Sequence, residues 1–152
     1  SLELKLHVED WESITTDWDY KENPTVAEGG YLTWSPAATG NSIKLTSGNT
    51  ATGTFRFSDP IGGIWYASLI PEGNTESNAF RFIDGEGKPV SSISGVIGNE
   101  MSSIKIKAML DAGIQRSARL KFTVKTLDGR TLSGDVIKED GSYFTIEQTA
   151  KL

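Results

Sequence analysis

The chain has 152 residues, a net charge of −5 and no cysteine. This length suits one domain, and the absence of cysteine excludes disulfides, thiolate zinc sites and cysteine nucleophiles. The acidic balance argues against nucleic acid as a partner, because a protein that neutralises phosphates needs a basic field. The sequence contains no apolar run as long as a membrane span.

The first residues alternate in polarity, with leucine or valine at every second position from Leu2 to Val8. This pattern predicts a half-buried strand over 2–8. Because Ser1 leads directly into it, we expect that a leader or a lipid-anchored segment lies upstream.

The next segment is acidic, aromatic and poor in aliphatic side chains. Together with the first strand it forms an N-terminal region, 1–46, that we expect to hold short strands and an aromatic, acidic loop. Sugar rings stack on indole and phenol rings, and carboxylates accept hydrogen bonds from sugar hydroxyls. The segment therefore contains a candidate glycan platform of six residues, namely Trp11, Asp17, Trp18, Asp19, Tyr20 and Trp34. The alternative is that these rings pack on the domain as lids, as large aromatic side chains usually do.

From residue 53 onward the chain reads as a series of short alternating segments separated by turns. Asp128-Gly129, between Val124 and Leu132, is the strongest hairpin signal, and Asp140-Gly141 before Tyr143 is the second. Asp84-Gly85-Glu86-Gly87 resembles a calcium loop in its oxygen content, but turn chemistry explains it better. Trp65, in an apolar strand, is expected to be a core residue.

One stretch, 101–112, is ambiguous. Met101, Ile104, Ala108 and Ala112 are spaced as a helical stripe, whereas Ile104 to Leu110 alternate with polar or flexible residues as in a strand. We favour the strand.

Residues 53–148 resemble the small immunoglobulin-like modules of exported Bacteroidetes proteins, the BACON group and its relatives. The resemblance depends on a tryptophan-bearing strand, an arginine-led apolar strand and a closing strand that ends in glutamine. These are Ile64-Trp65-Tyr66-Ala67, Arg119-Leu120-Lys121-Phe122-Thr123-Val124 and Phe144-Thr145-Ile146-Glu147-Gln148. The segment 84–97 is longer than the pattern predicts, and 1–46 has no counterpart in it.

The expected fold is all-β, an immunoglobulin-like antiparallel β-sandwich with an N-terminal strand extension in a single domain, 1–152. The resemblance implies a secreted or outer-membrane lipoprotein module of a glycan-harvesting system. We therefore expect a non-catalytic module that binds polysaccharide or host glycan, or assists its uptake beside neighbouring surface lipoproteins. The alternative is a structural spacer or adhesion subunit without a small ligand.

Nothing in the sequence predicts catalysis, a cofactor or a metal. Carboxylates are abundant, but no pattern marks one as buried or perturbed, as a glycosidase pair would require. His7 lies on the polar side of the first strand, and no serine occupies an exposed elbow for a triad.

A basic stripe is the last candidate surface. Arg119, Lys121, Thr123 and Lys125 project from one face of a strand, and Lys105 and Lys107 are candidates to lie beside them. Such a stripe could meet an acidic polysaccharide or a partner module. Alternatively, it keeps a sheet face soluble and discourages edge pairing.

Overall fold

Alternation of buried and exposed side chains along the chain produces strands throughout the computed structural model, which describes residues 22–111, 113–134 and 137–149. Side chains of period two place one face of each strand inward and the other outward. The strands are Thr25–Val26 (β1), Thr33–Ser35 (β2), Ser42–Leu45 (β3), Thr50–Phe55 (β4), Phe57–Ser58 (β5), Gly63–Pro71 (β6), Phe80–Ile83 (β7), Pro89–Val90 (β8), Ser92–Val96 (β9), Ser102–Ala108 (β10), Arg116–Thr126 (β11), Thr131–Gly134 (β12) and Thr145–Gln148 (β13).

The strands form two main sheets. The five-stranded sheet has the order β2-β4-β10-β7-β8, and the six-stranded sheet has the order β3-β13-β11-β6-β9 with β12 also paired to β11. Strands β1 and β5 form a short separate ribbon. Apart from the parallel pair β3–β13, the pairings between described strands are antiparallel. The predicted all-β, immunoglobulin-like sandwich is therefore confirmed.

The chain between β1 and β4 crosses from one sheet to the other. Strand β2 pairs with β4 in the five-stranded sheet, whereas β3 pairs with β13 in the six-stranded sheet. The connection contains the cis peptide Ser35–Pro36. Residues 25–45 thus contribute strands to the same sandwich as the later part of the chain, and the loop after β3 leads directly into β4.

Both the stretch 84–97, which is longer than the family pattern predicts, and the ambiguous stretch 101–112 contain strands. The stretch 84–97 holds the end of the β7–β8 hairpin and then β9, so the chain leaves one sheet and joins the other within a few residues. The stretch 101–112 contains β10, as the alternation favoured. In β10 the buried residues Ile104, Ile106 and Ala108 lie on one face, and Lys105 and Lys107 lie on the other.

One of the two hairpin signals produces a hairpin. Asp128-Gly129 joins β11 to β12, with Gly129 at a φ of 89°, a conformation that glycine adopts without a Cβ penalty. Asp140-Gly141 forms a turn, in which the Gly141 N–H donates to the Lys138 carbonyl. The strand that follows, β13, pairs with β11 and β3, so the hairpin prediction at this position is wrong.

Aromatic rings from both sheets meet in the core. Phe55 and Phe57 project from the β4–β5 side, and Trp65 and Phe122 project from the six-stranded sheet. The Phe55 ring lies 4.9 Å from Trp65 and 5.0 Å from Phe122, both edge to face, an arrangement that aromatic quadrupoles favour. The Trp65 Nε1–H donates to Ser102 Oγ across the sandwich at 3.1 Å. Trp65 is 3% exposed, so its predicted core position is confirmed.

No helix among the described residues is long and apolar enough to cross a membrane.

Any side chain at Gly95 should destabilise the domain, because the Trp65 indole occupies the space that the side chain would need. A Cβ on Gly95 would lie 2.5 Å from Trp65 Cε2 and 2.6 Å from Nε1. We expect Gly95→Ala to lower the unfolding free energy by about 1–3 kcal/mol through overpacking, measured by urea denaturation.

The matched control is Gly98→Ala, since a Cβ at Gly98 meets no atom within 4 Å. Equal midpoints for the two variants would show that the indole moves aside without cost.

Candidate functional site

Most of the predicted aromatic platform lies outside the described residues. Trp11, Asp17, Trp18, Asp19 and Tyr20 precede residue 22, where the description of the structure begins. Their role in glycan binding stays a prediction.

Trp34 is the one platform residue that the structure describes, and it is a core residue. It is 9% exposed, and its ring packs edge to face on Phe144 at 5.9 Å. Strand β2 turns Thr33 and Ser35 outward and Trp34 inward. A place for Trp34 on an exposed platform is therefore wrong, because the indole offers almost no free surface to a sugar. The alternation of Thr33, Trp34 and Ser35 was the signal for this.

A different exposed aromatic residue lies on the outer face of the six-stranded sheet. Because Trp65 and Ala67 point into the core, their neighbours Ile64 and Tyr66 point outward. Pairing between β6, β9 and β11 brings further outward side chains beside them. We call this surface the Tyr66 face, and define it by Ile64, Tyr66, Ser68, Ser92, Ser94, Val96, Lys121, Thr123 and Lys125.

The register determines which side chains are neighbours on the Tyr66 face. Tyr66 lies between Ser94 on β9 and Thr123 on β11, and Ile64 lies between Val96 and Lys125. Directly opposed side chains in antiparallel strands have Cβ atoms about 4.5–5.5 Å apart. The face therefore brings together an aromatic ring, two aliphatic side chains, hydroxyls and lysines.

The apolar members of the face are unusually accessible. Val96 is 72% exposed, Tyr66 45% and Ile64 39%. Isolated exposed apolar side chains are common, but adjacent ones rimmed by polar residues are typical of binding surfaces. Sequence patterning predicted Trp65 in the core but did not single out Tyr66, although its outward position follows from alternation with Trp65.

The basic stripe is only partly as predicted. Strand β11 turns Lys121 and Lys125 outward onto the Tyr66 face, with Arg119 further along the same strand. Lys105 and Lys107 belong to β10, and they face outward from the other sheet. The expectation that they lie beside the β11 lysines is wrong, because the core separates the two outer faces.

A cluster of polar and charged side chains surrounds Arg130. Its guanidinium forms a bidentate pair with Asp59, with Nη1–Oδ1 at 2.6 Å and Nη2–Oδ2 at 2.9 Å. It also pairs with Asp128, and its Nη1 donates to the Glu22 carbonyl. The cluster borders an open cavity of about 320 Å³. Two carboxylates already neutralise Arg130, so among the described residues that line this cavity no free cation faces an anionic ligand.

The described carboxyl groups whose pKa departs from its usual value all have a lowered pKa, which favours the charged form. The hydrogen bond from Arg130, aided by the N–H groups of Ile61 and Gly62, holds the pKa of Asp59 below its usual value despite burial. The pKa of Glu76 is lowered by Arg116, and that of Asp140 by hydrogen bonds from Ser142. Among the described carboxyl groups with a resolved shift, none is held protonated as a general acid would be.

The oxygen-rich loop Asp84-Gly85-Glu86-Gly87 is a turn in the structure. Asp84 Oδ1 accepts hydrogen bonds from the Glu86 and Lys88 N–H groups, both at 2.9 Å. This is the local side-chain bonding that stabilises turns. Within the ranges that the structure describes, no group of three or more His, Asp or Glu side chains could hold a metal ion.

The Asp59–Arg130 pair should contribute to acid stability. The Asp59 side chain is 1% exposed, and its pKa is lower folded than unfolded, so its contribution is complete above about pH 4 and is lost as the pH falls through the folded pKa. We expect Asp59→Asn to lower the unfolding free energy at pH 7 by about 2 kcal/mol. Below about pH 4 the unfolding free energy of the variant should depend less on pH than that of the wild type. Chemical denaturation at a series of pH values measures both effects.

Asp111→Asn is the control, because Asp111 is exposed and accepts from Arg116 through its backbone carbonyl. A parallel acid profile for wild type and Asp59→Asn would contradict the assignment.

Comparison with known proteins finds structural similarity at low sequence identity. No family model and no curated protein matches the chain. Among solved structures, it is similar to the ASH / PapD-like domain 7 of human CEP192, with 13% identity, a TM-score of 0.45, and coverage of 88% of this chain and 94% of that one. It is also similar to WR4, a C. elegans MSP family member, with 10% identity, a TM-score of 0.40, and coverage of 80% and 99%. These comparisons assign no family to the chain, and the resemblance to BACON modules stays a hypothesis.

Proposed function

We propose that this chain is a non-catalytic, cell-surface or secreted module that binds glycan through the Tyr66 face. The observation that carries the proposal is the exposed phenol of Tyr66 on the outer face of the sheet, with Ser94 and Thr123 directly opposite on the two neighbouring strands. A flat aromatic ring stacks on the C–H face of a sugar, while neighbouring hydroxyls exchange hydrogen bonds with its hydroxyls.

The form of the surface supports binding of an extended chain. The Tyr66 face spans three adjacent strands, and strands lie about 4.7–4.9 Å apart. A polysaccharide can lie along such a surface without a deep cleft, whereas a glycosidase must enclose the scissile bond between two carboxyl groups. The downward-shifted carboxyl pKa values described above also favour a non-catalytic role.

The N-terminal segment supplies a second part of the proposal. Trp11, Trp18 and Tyr20, with the carboxylates of Asp17 and Asp19, have the composition of a glycan platform. In this proposal they extend the binding surface. An exported lipoprotein with a lipid anchor upstream, acting beside neighbouring surface lipoproteins, is the cellular setting that we propose for it.

Tyr66→Ala should weaken glycan binding without unfolding the domain. Loss of one stacked ring should reduce affinity roughly tenfold, measured by affinity electrophoresis against a polysaccharide panel and then by calorimetry on the best ligand. Because Tyr66 is half-exposed, the melting temperature should change little.

The control is Ile114→Ala, which removes another exposed apolar side chain, 51% accessible, from the loop before β11. If no polysaccharide binds the wild type, the structural spacer or adhesion subunit becomes the better hypothesis. If one binds and Tyr66→Ala leaves its affinity intact, the Tyr66 face is not the site.

Trp18→Ala tests the N-terminal platform separately. We expect weaker binding on a glycan array with an unchanged melting temperature, since a ring that stacks on sugar is exposed rather than packed. Unchanged binding together with unchanged stability would remove Trp18 from the proposed site.

A further inference from the structure

We propose that the Tyr66 face selects anionic polysaccharides, which are glycans that carry carboxylate or sulfate groups. This inference rests on the proposed function, because it specifies the ligand class of the same surface. Three features of the Tyr66 face support it, namely the distribution of charge, the register of the strands and the pairing of the lysines.

Charge is segregated on this acidic protein. The chain carries a net charge of −5, yet the outward positions of the described six-stranded sheet carry four basic side chains and one carboxylate. The basic residues are Lys44, Arg119, Lys121 and Lys125, and the carboxylate is Glu147. Most other described carboxylates lie in loops at the ends of the sandwich. A local positive field of this kind attracts a polyanion to the sheet.

The register places the two lysines on either side of the aromatic ring. Tyr66 is opposite Thr123, so Lys121 and Lys125 are its diagonal neighbours on β11. At about 3.3 Å per residue, the Cα atoms of these lysines are about 13 Å apart. A sugar stacked on Tyr66 therefore has an ammonium group within reach in both directions along the strand. Ser68, Ser92 and Ser94 add hydroxyl donors that can bond to carboxylate or sulfate oxygens.

The lysines on this face differ in their pairing from Arg116 and Arg130. Arg116 is bound to Glu76 and Arg130 to Asp59, whereas within the described residues neither Lys121 nor Lys125 forms a salt bridge. Glu147 is opposite Ser117 on β11, four residues from Lys121, and it accepts a hydrogen bond from Ser42. No carboxylate within the described ranges therefore neutralises the ammonium groups beside Tyr66.

The apolar members of the face favour a glycan over a nucleic acid. Val96, Ile64 and Tyr66 form an apolar strip next to the lysines, and the C–H faces of sugar rings can cover such a strip. A nucleic-acid duplex presents its phosphate charge outward and keeps its base faces stacked inside, so it offers no comparable apolar surface to this strip.

The test compares two double variants with the same change in charge on opposite faces. Lys121→Gln/Lys125→Gln removes the lysines beside Tyr66, and Lys105→Gln/Lys107→Gln removes two lysines from the outer face of the other sheet. Each pair contains one exposed and one half-buried lysine, so the pairs match in exposure as well. The ligands are dextran sulfate, polygalacturonate and neutral dextran, and thermal melting confirms that both variants fold.

We expect the wild type to bind at least one of the two anionic polymers more tightly than dextran. The binding should weaken as the ionic strength rises to about 0.15 M, because exposed charges are screened. Lys121→Gln/Lys125→Gln should lose about tenfold in affinity, while the control variant should stay within about twofold of the wild type. The relative affinities for the sulfated and carboxylated polymers identify the anion.

Other results would overturn the inference in distinguishable ways. Equal losses in both double variants would show attraction by overall charge rather than a site. Binding to neutral dextran that neither variant changes would refute anionic selection but leave the proposed function intact. Binding to none of the polysaccharides would count against the proposed function itself. Equal or tighter binding of duplex DNA, competing with the anionic polymer, would show a general polyanion surface.

Discussion

The packing of Trp65 between the two sheets is the constraint on which the rest of the molecule depends. Its indole contacts the Phe55 ring of the opposite sheet at 4.9 Å, and its Nε1–H donates to Ser102 Oγ. Because strand side chains alternate, the inward position of Trp65 forces Ile64 and Tyr66 to the outside. A shift of β6 by one residue would exchange the two faces. The core therefore determines the exposed surface on which the proposed function depends.

The charged groups of the sandwich are of two kinds: those of the Arg130 cluster pair with one another, and those of the Tyr66 face are exposed on the surface of the proposed site. The Arg130 cluster joins the hairpin after β11, the Asp59 loop and the Glu22 carbonyl, and its charges are neutralised internally. The lysines of the Tyr66 face make no such pairs within the described residues. A buried ion pair and an exposed basic surface thus coexist on one acidic domain, and only the second is suited to a charged ligand.

Some sequence predictions succeeded because they depended on local physics. The Asp128-Gly129 hairpin follows from a backbone conformation that glycine adopts readily. Strand β10 follows from the alternation of Ile104, Ile106 and Ala108 with Lys105 and Lys107, which favoured a strand over a helical stripe. Predictions that required knowledge of distant neighbours were less successful. Trp34 was assigned to an exposed platform although it packs on Phe144, more than a hundred residues away. The sequence offers Lys105 and Lys107 as candidates to lie beside the β11 lysines, whereas their strand belongs to the other sheet.

The sequence by itself determined the fold class, most strand positions, the turns and the core role of Trp65, because alternation and turn chemistry are properties of a few consecutive residues. Only the tertiary structure decided which strands are neighbours, and that Tyr66 lies between Ser94 and Thr123 with lysines on both sides. Those relations depend on strand pairing between residues far apart in the chain. A binding surface made from three strands is defined by that pairing, and so it is absent from any single stretch of sequence.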